Sequence, residues 1–254
     1  MQSKAAVLFC GFLRCQEHTV ESYQKYLLQS NDVDIFVSTW DIDDIIRPEI
    51  GLVSPGPVKI DKFLGMYSNN VKDYVVRPYE MTQITLPEVK ELRQSPYDCF
   101  KTNPRAIKHG IVWANRIISM WYLISKGIRL MKNYEERTGI LYDIVLRTRT
   151  DLMLTDSLLF KGTIAKNTIY GDGEFYNWDG NPSSQLCSDI FLGDSRTVEC
   201  LSGLYKKSID FYMRQNLDIS NSESLFYTFC VQKDIFIEKT SFPYKRVKPC
   251  QFEN

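Results

Sequence analysis

The chain predicts an α/β fold in which a mainly parallel central sheet is flanked by helices, and three stretches carry that expectation. The first is YDIVLRTRTD at 142–151, which opens as an unbroken apolar run, Ile144-Val145-Leu146, and ends abruptly in charge. A segment apolar at every position suits a strand covered on both faces. The second is the opening 41 residues, which read strand–helix–strand with a connection long enough for a right-handed parallel crossover. The third is a long helical pattern at 106–134 that leads into the 142–151 strand.

Taken in order, AAVLF at 5–9 is a buried first strand, followed by Gly11 and Arg14. A glycine there lets backbone approach a ligand closely, and an arginine beside it suits phosphate. An ordinary strand-to-helix turn accounts for the same residues. Neither a GxGxxG fingerprint nor a Walker A loop is present. Between 17 and 29, Val20, Tyr23, Tyr26, Leu27 and Leu28 have helical spacing. DIFV at 34–37 is a second strand running into Ser38-Thr39-Trp40-Asp41. From about 47 to 104 prolines are frequent and the pattern weakens. This is a variable insertion, with Val58-Lys59-Ile60 and Tyr74-Val75-Val76 as short strands.

The 106–134 helix has a broad apolar face, with breaks expected near Gly110 and Gly127 and an exit at Gly139. A turn-rich stretch at 171–184 precedes DIFLG at 189–193, a short strand opened by a carboxylate. An amphipathic helix at 198–212 follows, then a helix from Glu223 with Ser220 or Ser222 as its N-cap. Ile235-Phe236-Ile237 reads as the last strand, and 244–248 as a basic tail.

Composition bounds the function. Lys+Arg and Asp+Glu are each 31 in 254 residues, so the net charge of zero argues against a dedicated nucleic-acid binder. Seven scattered cysteines with no CxxC give neither a zinc pattern nor a disulfide framework. Reduced cysteines in a cytoplasmic compartment are the simplest account. The N-terminus lacks the features of a signal peptide, and no stretch approaches the ~18 apolar residues that span a bilayer. Surface contact with a membrane stays open. The histidines, His18 and His109, form no nucleophile–base arrangement by spacing, so acid–base work falls to carboxylates.

The charged end of 142–151 is where chemistry concentrates. Side chains alternate along a strand, so Arg147, Arg149 and Asp151 share one side while the strand persists. In open α/β sheets ligands sit at the carboxyl ends of strands. One reading is an anionic ligand with a divalent metal; the other is a structural Arg–Asp network capping the sheet. Asp41-Ile42-Asp43-Asp44 adds acid at a second strand end, and Asn115, Arg116 and Ser119 cluster within about a turn of helix as further contact candidates.

VLFCGFLR at 7–14, DIFVSTWD at 34–41, ISMWYLISKGIRLMKNYEE at 118–136, RTRTDL at 147–152, SDIFLGD at 188–194 and SESLF at 222–226 occur in this order. In that order the chain resembles GT-A-type glycosyltransferases of polysaccharide assembly, found in bacteria and large DNA viruses. The resemblance implies a GT-A-like (Rossmann-like) domain with a mixed sheet, spanning 1–254. Residues 1–150 would form the nucleotide-sugar half and 151–254 the acceptor half. It implies a nucleotide-sugar donor, a glycan or other hydroxyl acceptor, and Mn²⁺ or Mg²⁺ held by an Asp-x-Asp.

This chain departs from that motif: the equivalent triplet is Arg149-Thr150-Asp151. Asp151 is the expected metal ligand and Arg149 the diphosphate partner. Gly11, Arg14, Thr39, Asp41, Asn115, Arg116, Ser119 and Arg147 are further candidates for donor binding, and Asp189 and Glu223 for the catalytic base. Two alternatives stand beside this reading: a nucleotidyltransferase, and a catalytically silent glycan-binding domain on the same fold.

Overall fold

In the first strand Ala6, Leu8 and Cys10 face one apolar cluster while Ala5, Val7 and Phe9 face another. All six are at most 2% exposed. Period-two alternation with apolar residues on both faces requires cover on both sides, and helices supply it. The computed structural model describes residues 3–42, 56–79, 104–160, 164–172, 189–208 and 222–247, with the side chains of 104–116, 223 and 224 outside that description.

β1 (Lys4–Cys10) leads through α1 (Gln16–Tyr23), extended by a π-helical turn at Gln24–Leu28, to β2 (Asp32–Trp40). The two strands pair in parallel, as the strand–helix–strand reading requires. The insertion supplies α2 (Ile60–Met66) and β3 (Val71–Arg77), which pairs in parallel with β2. The strand expected at Val58-Lys59-Ile60 does not form: Pro57 makes an isolated bridge to Ile42, and the helix starts at Ile60. Phe63 and Tyr67, one helical turn apart, both pack on Phe9, with ring centroids at 5.4 and 5.7 Å. Helical spacing brings both rings to β1, whereas a strand at the segment's start would break that register.

α3 (Pro104–Thr138) is continuous over 35 residues, about 50 Å, with no break at Gly110 or Gly127. Gly127 has a packing reason: a Cβ there would lie 2.6 Å from the Cys10 sulfur, so glycine lets the helix approach β1 and β2 closely. The exit at Gly139 is as expected, with φ +73 and its N–H donating to the Glu135 carbonyl.

β4 (Ile144–Thr148) pairs in parallel with β1. β5 (Leu152–Leu154) leaves the main sheet, and β6 (Thr168–Asp172) rejoins it. β7 (Phe191–Gly193) runs antiparallel to both β4 and β6. The helix expected at 198–212 begins earlier, as α4 (Ser195–Cys200), because the Asp194 carboxylate accepts the Arg196 and Thr197 N–H groups; it tightens to a 3₁₀ turn at Leu201–Gly203. The end of that expected helix and most of the 171–184 stretch lie outside the described residues. α5 (Ser222–Gln232) precedes β8 (Phe236–Thr240). β8 is not the last strand. The basic tail forms β9 (Tyr244–Arg246), antiparallel to β5.

The sheet order is β3-β2-β1-β4-β7-β6-β8, a mixed, mainly parallel seven-stranded sheet flanked by helices. One face packs on α3, α4 and α5 through Trp121, Ile124, Ile128, Val198 and Phe226. The other packs on α1 and α2 through Tyr23, Leu27 and Phe63. Fully burying each such side chain contributes about 1.5–3 kcal/mol. No helix among the described residues is long and apolar enough to cross a membrane.

Candidate functional site

Topology delivers four segments to one place. β1, β2, β3 and β4 are parallel, so their carboxyl ends share an edge. β7 runs the other way, with Phe191 opposite Arg147, so Asp189 just before it arrives at that same edge. After β4 the chain turns through Arg149–Asp151 into β5. β9 pairs there with Arg246 opposite Leu152, and the Val247 N–H donates to the Asp151 carbonyl at 2.8 Å.

The side chains meet in an ion network. Arg149 forks onto Asp151, Nε to Oδ1 at 2.8 Å and Nη2 to Oδ2 at 2.6 Å. Its Nη1 donates to Asp189 Oδ1 at 2.7 Å. Arg14 Nε lies 3.0 Å from Asp151 Oδ2, and Arg246 Nη2 contacts Asp189 Oδ2. The backbone beneath is pinned. The Thr150 hydroxyl lies 3.0 Å from the carbonyls of both Phe12 and Arg14. The Thr19 hydroxyl donates to the Thr150 carbonyl at 2.6 Å, and the Tyr23 hydroxyl to the Arg149 carbonyl at 2.9 Å.

Burial alone would raise both carboxyls, but the guanidiniums outweigh it. Arg149, Arg246 and Arg147 bring Asp189 down to about 2 from an ordinary 3.8. Arg149 and Arg14 also hold Asp151 below its ordinary range. Burial likewise disfavours the charged Arg149, yet Asp189 and Asp151 hold it firmly protonated. An aspartate this acidic is a weak proton acceptor at neutral pH, since a general base works best with a pKa near the operating pH. Asp189 is instead placed to orient Arg149.

Of the residues singled out in the sequence, Arg14, Arg149, Asp151 and Asp189 are brought together. Arg147 lies beneath them, 1% exposed, with Nη2 donating to the Cys10 carbonyl at 3.3 Å. Gly11, at φ +135, donates its N–H to the Ser38 carbonyl, and no atom of the described residues lies within 4 Å of its Cβ position. Thr39 is fully buried and its hydroxyl turns to the Trp40 carbonyl. Asp41 is a clamp: its carboxylate accepts the Tyr79 N–H at 2.9 Å, while its backbone bonds Arg77 and Val58.

Ser119 is buried on α3, a turn before Tyr122, which stacks on Trp40 at 5.8 Å and 7°. The side chains of Asn115, Arg116 and Glu223, and residues Asp43 and Asp44, lie outside the described residues. Sequence reasoning missed Arg246. Its one signal was membership of the basic tail; the pairing of β9 with β5 that aims it at Asp189 has no local signature.

The expected Mn²⁺ or Mg²⁺ can be tested against the donor set. Such ions need carboxylate oxygens turned towards them, at about 2.0–2.1 Å for Mg²⁺. Here each oxygen of Asp151 and Asp189 faces a guanidinium nitrogen. Among the described residues no group of three or more His, Cys, Asp or Glu gathers to hold an ion. The described donor set does not fit a divalent cation.

No protein-family model matches the chain, and no curated protein does. A solved structure similar to it is the apo form of the glycosyltransferase GlyE from Streptococcus pneumoniae TIGR4, with a TM-score of 0.44 and 11% identity. The match covers 95% of this chain and 46% of that one, so this chain spans just under half of that protein's length.

Proposed function

We propose that the chain is a glycosyltransferase that moves a sugar from a nucleotide-sugar donor to a hydroxyl of a glycan or similar acceptor. The observation that carries the donor part is the guanidinium cluster at the carboxyl edge of the sheet. Arg14, Arg149 and Arg246 converge there from three separate segments, over the buried carboxylate of Asp151 and the part-buried one of Asp189. Guanidiniums match the oxygens of a diphosphate in geometry and charge. The transfer part rests on the ordered motifs that resemble polysaccharide-assembly glycosyltransferases.

In the reaction the bond between the sugar's anomeric carbon and the diphosphate oxygen breaks, and its electron pair stays on that oxygen. Fixed guanidiniums stabilise the developing charge without reorganising. The acceptor oxygen bonds to the anomeric carbon and gives up its proton. Asp189, tied to two arginines, positions Arg149 in this scheme; Glu223, at the start of α5, is the other of the two carboxylates the motifs offer to take that proton if the reaction inverts.

A thermal-shift screen of UDP-, GDP-, CMP- and dTDP-sugars tests the proposal. One donor class is expected to raise the melting temperature, since a ligand at 100 times its Kd adds about 2.7 kcal/mol. Hydrolysis of that donor should be measurable without acceptor. A shift with nucleoside triphosphates alone points to a nucleotidyltransferase. A shift with glycans alone points to a silent binding domain.

A further inference from the structure

We propose that the cation of this site is built into the chain: Arg149 stands where a divalent metal would have to bind, and a diphosphate group is held by guanidiniums without metal. This deepens the donor-site reading, and rests on it for the nucleoside and sugar; the diphosphate part stands on the geometry.

Three observations carry it. The first is which groups face outward. The side chains of Arg14, Arg149 and Arg246 are 29%, 17% and 48% exposed, against 4% and 15% for Asp151 and Asp189. Asp151 lies underneath and Asp189 is part-buried, so most of what these five side chains present to solvent is guanidinium. The second is charge. Among the described residues the network holds three guanidiniums and two carboxylates, an excess that suits an anion. Buried Arg147 adds to it from below, through its effect on Asp189. The third is commitment. A metal seeking both carboxylates would have to displace Arg149 from each. Arg149 spends three of its five N–H donors on them, which leaves two uncommitted among the described residues.

Calorimetry of the whole chain with inorganic pyrophosphate, in EDTA and then in Mg²⁺, tests the inference directly. Binding in EDTA is expected, with an affinity within about three-fold of that in Mg²⁺, and Arg149→Ala should weaken it at least ten-fold. Should that variant not fold, Arg246→Ala serves. It removes the most exposed guanidinium and leaves the Arg149 contacts in place, and it should weaken binding several-fold with an unchanged circular dichroism spectrum. Mn²⁺ added alone and followed by electron paramagnetic resonance should show no bound ion that Asp151→Asn releases.

Pyrophosphate that binds only with metal overturns the proposal. So does pyrophosphate that binds under neither condition, or Mn²⁺ that binds and is lost in Asp151→Asn. Pyrophosphate bound in EDTA with no response to any nucleotide-sugar upholds this inference and removes the glycosyltransferase reading alone.

Discussion

Tyr142 donates its hydroxyl hydrogen to Asp34 Oδ2 at 2.8 Å, at the sheet edge opposite the ion network. Asp34 is 2% exposed, and the ammonium groups of Lys4 and Lys72 each lie 3.3 Å from its carboxylate. A hydrogen bond to a charged acceptor contributes about 1.5–3 kcal/mol. Tyr142→Phe is therefore expected to cost that much, read as a fall of several degrees in the melting temperature. A change under one degree would show the lysines alone satisfy the carboxylate. At this scale the sequence was legible where partners are close along the chain. Arg149 and Asp151, two residues apart, are bonded to each other, but β4 ends at Thr148, so the turn after it and not alternation along the strand brings them together. The sequence was illegible where partners come from distant segments: nothing near Asp34 announces Tyr142, and nothing near Asp189 announces Arg246.

Among elements, α3 shows what periodicity reveals and what it hides. Its apolar face was plain, and Trp121, Ile124 and Ile128 are each at most 1% exposed in the core. Its continuity was not, because a glycine in a helical pattern reads as a weak point when only propensity is considered. Gly127 is there for close approach, and Gly65 in α2 makes the control. Gly127→Ala gains up to about 1 kcal/mol of helix propensity but drives a methyl to 2.6 Å from the Cys10 sulfur. Overpacking costs about 1–3 kcal/mol, so the net effect is destabilising. Gly65 has no atom of the described residues within 4 Å of its Cβ position, so Gly65→Ala keeps only the gain. Chemical denaturation should move the two midpoints in opposite directions; a stabilised Gly127→Ala would mean that α3 shifts freely on β1. The same limit explains the strand expected at 58–60. Three residues, Val58-Lys59-Ile60, read as extended by themselves, and the rings that make the segment helical lie beyond them at Phe63 and Tyr67.

For the whole molecule, the ion network joins the ends of β1, β4 and β9 and the entry to β7, so its protonation is a global variable. Asp189 titrates at about 2 in the folded chain against an ordinary 3.8, and Asp151 is shifted in the same direction. A carboxyl whose folded pKa is depressed adds stability that is fully present above its unfolded pKa and lost as pH falls towards its folded one. The window therefore runs from about pH 4 down to about pH 2. Asp189, with its side chain 15% exposed, contributes about 2 kcal/mol across it. Urea denaturation should find stability level from pH 7 to pH 5 as far as this group is concerned, then falling steeply below pH 4. Asp189→Asn removes the titrating group but leaves Arg149 and Arg246 without their charged partner. It should be less stable than the unsubstituted chain at pH 6, and the two should converge near pH 2, where the native carboxyl is itself becoming neutral. A gap that stays constant to pH 2 would mean that Asp189 acts through shape and not charge. The guanidiniums would then be held at the strand ends by packing, and the charge pairing that keeps Arg149 at the site would carry no weight.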